Sequence, residues 1–359
     1  MTGGFFVFRK GYVMKAAVLK GLESFSIESI PDPICPAGGV VVKVKTAAIC
    51  SADVRMIISG HQALRYPRIP GHEISGVVVH SDNAKIKVGE RVQIAPGITC
   101  GVCRFCKSGL ENHCENIRIF GFTLDGGFAE YIAIPSQGVF SGVINLIPES
   151  LGFDQAAMAE PVACCLNGQE ILDICLQDRV LIIGAGPIGC IHTILARLNG
   201  AEEIILADIY QKRLNLALKT EADIFLNISA KNKFKKTIIE KIEALSINKI
   251  ILACSACESL MFDLIEILAP RGRICFFSGI IPQGKNPGTK IFNKLHYKEA
   301  VFSGAYGCTS NQNRKALALM ESGKINLDWM ITHKFTLEDI MSGLEIVRNL
   351  DGLKTLIQE

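Results

Sequence analysis

Neither basic nor acidic residues are in marked excess in this chain. Its 359 residues carry 38 Lys and Arg against 35 Asp and Glu, a formal net charge of +3. So even a balance excludes a broad attraction to nucleic acid or to an acidic membrane. A long apolar run at the N-terminus is lacking too. Phe5, Phe6, Val7 and Phe8 are too few to cross a bilayer, and basic residues follow them rather than precede them. No small-residue cleavage site comes next, so no export signal is read there, and the residues before Met14 receive no functional role. Internal repeats and low-complexity stretches are absent, which argues against a repeat architecture. Hydrophobic residues make up 49% of the chain, which excludes disorder.

What is present is enough chain for two domains with two cores. The first third carries short β-branched runs, Val40 to Val44 and Val77 to Val79, with further strands at Lys15 to Lys20 and Arg91 to Ala95. This region reads as a β-rich, partly barrel-like domain. Near Gln177 the pattern changes to alternating strands and helices. Strands are expected at Arg179 to Ile183, Glu203 to Ala207, Lys249 to Ala253 and Arg273 to Ser278. Helices are expected at Ile188 to Leu198 and Lys212 to Thr220. That alternation predicts an α/β unit with a doubly wound parallel sheet. Lysine-rich 231–241 reads as a solvated helix face. After Tyr306 two more helices are expected, Asn311 to Ser322 and Leu337 to Arg348.

The chain has 14 Cys. Its length, and the placing of several Cys inside apolar runs, favour reduced thiols in a cytoplasmic protein over a disulfide framework. Cys100, Cys103, Cys106 and Cys114 fall within fifteen residues, and thiolates so spaced can converge on one tetrahedral Zn²⁺. Four Cys leave no open coordination position, so this zinc is structural and pins a lobe, residues 97–117, that is poor in apolar side chains. Free thiols there would be an oxidation liability. The loop also has too few basic residues for a nucleic-acid module.

A second constellation is more dispersed: Cys50 before Ser51, His72-Glu73 after Pro70-Gly71, and Glu160 before Pro161. Cys, His and carboxylate suit a zinc that keeps one position open, the pattern of a catalytic site. Such a metal lowers the pKa of a substrate alcohol. Asp53 is placed to orient His72. The third signal is Gly184-Ala185-Gly186-Pro187-Ile188-Gly189, between a strand and a helix, where glycines let a dinucleotide pyrophosphate approach the helix N-terminus. Asp208 ends the next strand, where an acid bonds the adenine ribose and repels a 2′-phosphate. NAD(H) is therefore expected over NADP(H), a preference that nearby Lys212 and Arg213 weaken.

Together these residues resemble the zinc-containing medium-chain dehydrogenase/reductase superfamily, in its sorbitol (polyol) and threonine dehydrogenase branch. The resemblance runs from Met14 to the C-terminus. It also rests on Gly121-Phe122 and Gly126-Gly127-Phe128-Ala129-Glu130-Tyr131. It implies a Rossmann NAD-binding domain, 169–303, inserted in a GroES-like catalytic domain built from 1–168 and 304–359, with the active site in the cleft between them. It implies a homodimer or homotetramer with two Zn²⁺ per subunit. By motif position Cys50 and His72 would be zinc ligands, Glu73 a third ligand or exchanging neighbour, and Glu160 a ligand directly or through water. Arg213 joins the cofactor residues Gly184, Gly186, Pro187, Ile188, Gly189 and Asp208.

Two departures stand out. Ala52 occupies a position where the family often carries a hydroxyl that starts a proton relay, which leaves Ser51, a water or Glu160 for that task. The segment Gly304 to Cys308 lacks the Arg that sorbitol dehydrogenases tend to place there, so a cyclitol, an amino-sugar derivative or another secondary alcohol stands beside sorbitol as substrate. Two alternatives are kept: a threonine-type amino-alcohol dehydrogenase, and a dinucleotide-binding sensor or interaction protein that has lost catalysis. A zinc-free quinone or enone reductase is disfavoured, because both sets of metal ligands are present.

Overall fold

The computed structural model describes residues 12–229, 247–254, 256–278, 280–281 and 288–359. The N-terminal Phe run and the lysine-rich 231–241 lie outside the described residues. Packing divides the chain into two compact units, Met1–Ala163 with Cys308–Glu359, and Cys164–Gly307. No helix among the described residues is long and apolar enough to cross a membrane.

The first unit is β-rich. Its main sheet has seven strands. Six follow the order Ile331–Thr336, Lys354–Gln358, Val40–Ile49, Glu73–Ser81, Arg91–Ile94, Ile144–Leu146, and Tyr131–Ile134 also pairs with Val40–Ile49. Val40–Ile49 is central and buried along most of its length. That is why its sequence is a near-continuous apolar run rather than an alternating one. The C-terminal strand adds antiparallel to it, with Thr355 opposite Ile49. On its other edge Ala48 lies opposite Glu73. The two ends of the unit's sequence are thereby sewn into one sheet around Ile74, Ile94, Phe120 and Phe128, all fully buried.

Asp154 ties three parts of this sheet together. Its Oδ1 accepts from Thr46 Oγ1 at 2.8 Å and from Gln358 Nε2, and its Oδ2 accepts from Lys334 Nζ at 2.6 Å. Burial alone would raise its pKa; the Lys334, Thr46 and Gln358 hydrogen bonds reverse that and leave it lowered. A lowered carboxylate stabilises the fold above its unfolded pKa, and that contribution is lost as pH falls through the folded pKa. Asp154→Asn is therefore expected to cost about 2 kcal/mol at neutral pH. In urea titrations the gap from wild type should hold down to about pH 4 and close below it. A gap that stays constant in acid would contradict this account.

The second unit is a six-stranded parallel sheet in the order Ile224–Asn227, Glu203–Asp208, Arg179–Ile183, Ile247–Leu252, Leu268–Phe276, Val301–Gly304. Numbered along the chain that is 3-2-1-4-5-6, the doubly wound arrangement that binds dinucleotides where the order reverses. Arg179–Ile183 has the bounds read from the sequence. Lys212 to Thr220 is not one helix: a short helix, Gln211–Leu216, tightens into a 3₁₀ turn, Ala217–Thr220, before Glu221 at φ +58°. The helix expected from Leu337 starts at Ile340, because Thr336 Oγ1 binds the Asp339 carboxylate in a turn that precedes it.

Candidate functional site

Three donor atoms meet at the end of the central strand of the first unit. Ligand atoms of Cys50, His72 and Glu73 lie within 4.8 Å of one another. Cys50 follows the strand Val40–Ile49 and caps the helix Ser51–Ser59. Its backbone N–H donates to Asp53 Oδ2 at 2.9 Å. The other Asp53 oxygen, Oδ1, lies 3.2 Å from His72 Nδ1. One fully buried carboxylate thus fixes both the Cys50 turn and the imidazole, leaving His72 Nε2 for a metal. Asp53 has the orienting place expected of it. Burial pushes the His72 pKa down, but the Asp53 charge and hydrogen bond, with Cys50, outweigh it and leave the pKa well above its ordinary value.

Backbone geometry explains the glycines around His72. Gly71 has φ +94°, and a Cβ there would sit 2.8 Å from the Phe128 ring. Gly126 is packed so closely that its Cβ would fall 2.1 Å from the Gly71 carbonyl oxygen. Gly127 and Phe128 donate their N–H groups to Gly71 and Pro70. The Gly126-Gly127-Phe128 segment therefore holds the turn that delivers His72 and Glu73.

Lys354, which no sequence motif flags, completes the cluster. It is 3% exposed, and its ammonium hydrogen-bonds Glu73 Oε1 at 2.6 Å while lying 2.5 Å from Oε2. Glu73 is 1% exposed. Burial drives its pKa up to about 7, with Lys354 pulling it down and Glu160 adding to the rise. Removing one partner of such a pair strands a buried charge, at roughly 3–5 kcal/mol. Glu160, 7% exposed, falls outside the three-atom cluster, and its carboxylate lies within 4.8 Å of Cys308 Sγ. Ser51 opens its helix and is exposed. The Phe122 ring stands 5.5 Å from the His72 ring and His61 5.2 Å beyond Phe122, an aromatic wall beside the donors that the sequence did not announce.

The four-cysteine lobe forms a second, separate donor set. All four sulfurs lie within 4.8 Å of one another. Cys103 and Cys106 sulfurs are 3.5 Å apart, and Cys100 and Cys106 sulfurs 3.9 Å. A tetrahedron with Zn–S bonds of about 2.3 Å has edges of about 3.8 Å, so the cage fits that ion. Backbone N–H groups stabilise thiolates here: Cys103 N–H donates to Cys100 Sγ and Cys100 N–H to Cys114 Sγ, each at 3.3 Å. N–H groups at Cys106 and Glu115 pull the Cys103 thiol down to about 6, and burial pushes Cys106 up to about 12. The Cys50 set fits a metal for a different reason: a thiolate, an oriented imidazole and a carboxylate are zinc donors with room left for a further ligand.

In the second unit the glycine loop has the geometry its motif predicts. Gly184 has φ +107°, and a Cβ on Gly189 would fall 1.7 Å from the Gly184 carbonyl oxygen, so only glycine lets the helix Pro187–Leu198 approach the strand. Pro187 opens that helix, where its missing N–H costs nothing. Asp208 closes the loop from the next strand: Oδ2 accepts from the Ala185 N–H at 2.7 Å and Oδ1 from the Tyr210 N–H at 2.8 Å. Each oxygen keeps a lone pair for a hydroxyl. Arg213 lies against Gly186, where a Cβ would come 2.5 Å from its Nη1.

Comparison with known proteins places the chain among known dehydrogenases. Residues 36–145 match the family described as "Alcohol dehydrogenase GroES-like domain", and 187–322 match "Zinc-binding dehydrogenase". L-threonine 3-dehydrogenase of Marinomonas sp. is 30% identical over 337 residues, covering 92% of this chain and 94% of that protein. D-arabinitol dehydrogenase 1 of Uromyces fabae is 29% identical, covering 96% and 97%. Among solved structures, one from E. coli CFT073, titled a short chain alcohol dehydrogenase and complexed with NADH, is 27% identical with a TM-score of 0.85 over 97% of this chain and 100% of that one. A zinc-binding dehydrogenase of Sinorhizobium meliloti 1021 bound to NADP has the same identity and TM-score, covering 97% and 99%.

Proposed function

Because the chain belongs to the zinc-containing medium-chain dehydrogenase/reductase superfamily, in its sorbitol- and threonine-dehydrogenase-like branch, we propose that it oxidises a secondary alcohol of a polyol, sugar or cyclitol with NAD. That it is a dehydrogenase acting on CH–OH groups follows from its relatives. The observation that carries the finer reading is the Cys50, His72, Glu73 donor set held in place by Asp53.

A zinc ion held there supplies Lewis-acid polarisation of the substrate hydroxyl. Cys50 and His72 are the donors this chain offers, with Glu73 or Glu160 as the carboxylate. Asp53 keeps His72 in one tautomer. Phe122 and His61 bound the space beside His72 on one side. With Ala52 unable to relay a proton, the Glu160 carboxylate is the group we assign to accept it. The Asp208 carboxylate, placed for ribose hydroxyls, disfavours a 2′-phosphate, so NAD is the proposed acceptor. Arg213 beside Gly186 is assigned to the cofactor's phosphates. A homodimer or homotetramer in the cytoplasm remains part of the reading.

The test is NADH formation across a panel of polyols, cyclitols, threonine and simple secondary alcohols, with NADP in parallel. Metal analysis is expected to find about two Zn per subunit. A fully metallated protein that binds no NAD(H) would sink the proposal. One that binds NAD but turns over nothing in the panel would favour the sensor reading, and preference for threonine would move the substrate to an amino alcohol.

A further inference from the structure

The helix Ser310–Glu321 has no acidic residue in its own first turn, although its free N–H groups and its dipole favour one there. A capping box serves part of the need. Thr309 Oγ1 accepts from the Gln312 N–H at 3.2 Å, and Gln312 Oε1 accepts from the Thr309 N–H at 2.9 Å. The Ser310 N–H goes elsewhere: it donates to Glu111 Oε2 at 3.1 Å, across 199 residues of chain. Glu111 belongs to the four-cysteine lobe, where its carbonyl accepts from the Cys114 N–H at 3.0 Å. One residue thus holds a lobe cysteine by its backbone and a distant helix by its carboxylate. The start of that helix carries Cys308, two residues before Ser310. Its sulfur accepts from Asn313 Nδ2 at 3.2 Å, and a Glu160 carboxylate oxygen lies within 4.8 Å of it. Asn313 is fully buried, donates also to the Thr309 carbonyl at 3.0 Å and accepts from Gln93 Nε2 at 3.2 Å. Gln93 comes from the strand Arg91–Ile94 of the main sheet. The sheet therefore anchors the helix one turn in, at Asn313. The lobe anchors its first residue, with help from Ser310 Oγ, which donates to the Ser141 carbonyl at 3.1 Å.

We propose that Glu111 is a positioning residue for the reaction: from the cysteine lobe it fixes the first turn of the helix Ser310–Glu321 and so sets Cys308 beside Glu160. The inference rests on the dehydrogenase reading given above, in which Glu160 accepts the substrate proton. The lobe then has a task beyond its own order. Its carboxylate supplies the negative charge that the helix lacks, and a charge-assisted hydrogen bond of this kind is about twice as strong as a neutral one. When that bond is lost, the capping box and Asn313 still hold the helix. The residues ahead of it, Cys308 among them, lose one of their two anchors, and the neighbourhood of Glu160 loosens without any ligand of either metal site being touched.

The experiment compares full-length, zinc-loaded wild type with Glu111→Ala, Glu111→Gln and Ser310→Pro. Proline at the first helical position removes the donor N–H without cost to the helix, and the extended backbone of Thr309, at φ −98° and ψ 162°, suits a residue before proline. Two readouts are taken: the rate at which iodoacetamide labels Cys308, resolved by peptide mass mapping, and steady-state kinetics. In Glu111→Ala the labelling of Cys308 should rise about tenfold, as local opening becomes more frequent. Its kcat should fall about fivefold with the KM for NAD unchanged, since only the geometry near Glu160 is disturbed. Glu111→Gln keeps an acceptor oxygen and should restore most of both. Ser310→Pro breaks the same bond from the other side and should reproduce Glu111→Ala, with the double variant no worse than either single one. A folded Glu111→Ala protein with unchanged labelling and kcat overturns the proposal. So does a fall in kcat that tracks loss of zinc, since Glu111 would then do no more than hold the lobe. If Glu111→Ala fails to fold, Ser310→Pro decides. A wild-type protein that turns over no alcohol overturns the dehydrogenase reading instead, and the labelling rates, which need no turnover, tell the two failures apart.

Discussion

Cys50→Ser should lower kcat/KM by about three orders of magnitude, about 4 kcal/mol of transition-state stabilisation, while leaving the fold intact. The contrast follows from what Cys50 does structurally. As helix cap its Sγ accepts from the Ala52 N–H at 3.5 Å, a long contact that a serine hydroxyl can replace and improve. Its link to Asp53 runs through the backbone N–H and survives any side chain. His72 therefore stays oriented, and the thermal midpoint should stay within about 2 °C, the shift expected for about 0.5 kcal/mol. What the substitution removes is the soft, anionic donor of the Cys50, His72, Glu73 set, since an unionised hydroxyl is a poor zinc ligand at neutral pH. Steady-state kinetics on the best substrate of the panel, with metal content and an unfolding curve on the same preparation, measures all three. Turnover within tenfold of wild type would move the chemistry away from Cys50. A large loss of stability would mean that the thiol is structural.

The parts of the fold that follow from periodicity and punctuation were legible. Arg179–Ile183 is a short apolar run closed by glycine, and its neighbours repeat the pattern, so the parallel sheet follows from local signals. Gly189 declares itself because only glycine tolerates a carbonyl 1.7 Å from where Cβ would be. The four cysteines are legible for a similar reason: the chemistry needs all four sulfurs within one short loop. Cys50, His72 and Glu73 are harder, since they come from two strands, and only their recurrence beside the other motifs gives them weight. Asp53 could be read because it lies three residues from Cys50, within one helical turn.

Lys354 could not be read. It stands between Leu353 and Thr355 near the C-terminus with nothing to distinguish it from a surface lysine, and it becomes a buried cation only because register sets it across from Cys50. Pairings separated by 281 residues carry no local signature. Phe122 was legible only as part of the Gly121-Phe122 motif and His61 not at all, because the wall they form is a contact between segments distant in sequence. The Leu337 boundary failed differently: apolar spacing extended the helix through a turn that the Thr336 and Asp339 side chains impose.

Cys103→Ser should have the opposite profile to Cys50→Ser. Zinc is expected to fall from about two to about one per subunit, and the lobe should become a site of proteolysis under native conditions. Within residues 101–117 only Asn112 and Cys114 are buried, and Val102 and Leu110 are exposed, so the segment has almost no apolar core of its own. Its order must come from the metal and from short backbone contacts such as Lys107 N–H to the Cys103 carbonyl. Structural zinc sites in small modules are worth on the order of 10 kcal/mol of binding free energy, and that energy is folding energy when no core stands behind it. Cys103 is the sharpest choice because its sulfur is 3.5 Å from Cys106 and its N–H supports Cys100, so its loss disturbs three ligands at once. Limited proteolysis with mass mapping should place new cuts between Gly101 and Glu115. The sheet around Val40–Ile49, whose core lies elsewhere, should stay protected. Residual activity should track the fraction of molecules still intact rather than fall uniformly. If Cys103→Ser and Cys50→Ser give the same loss of activity with the same loss of stability, the two metal sites cannot be divided as drawn here. A variant that keeps both zinc ions and resists protease would show that three sulfurs suffice to hold the lobe.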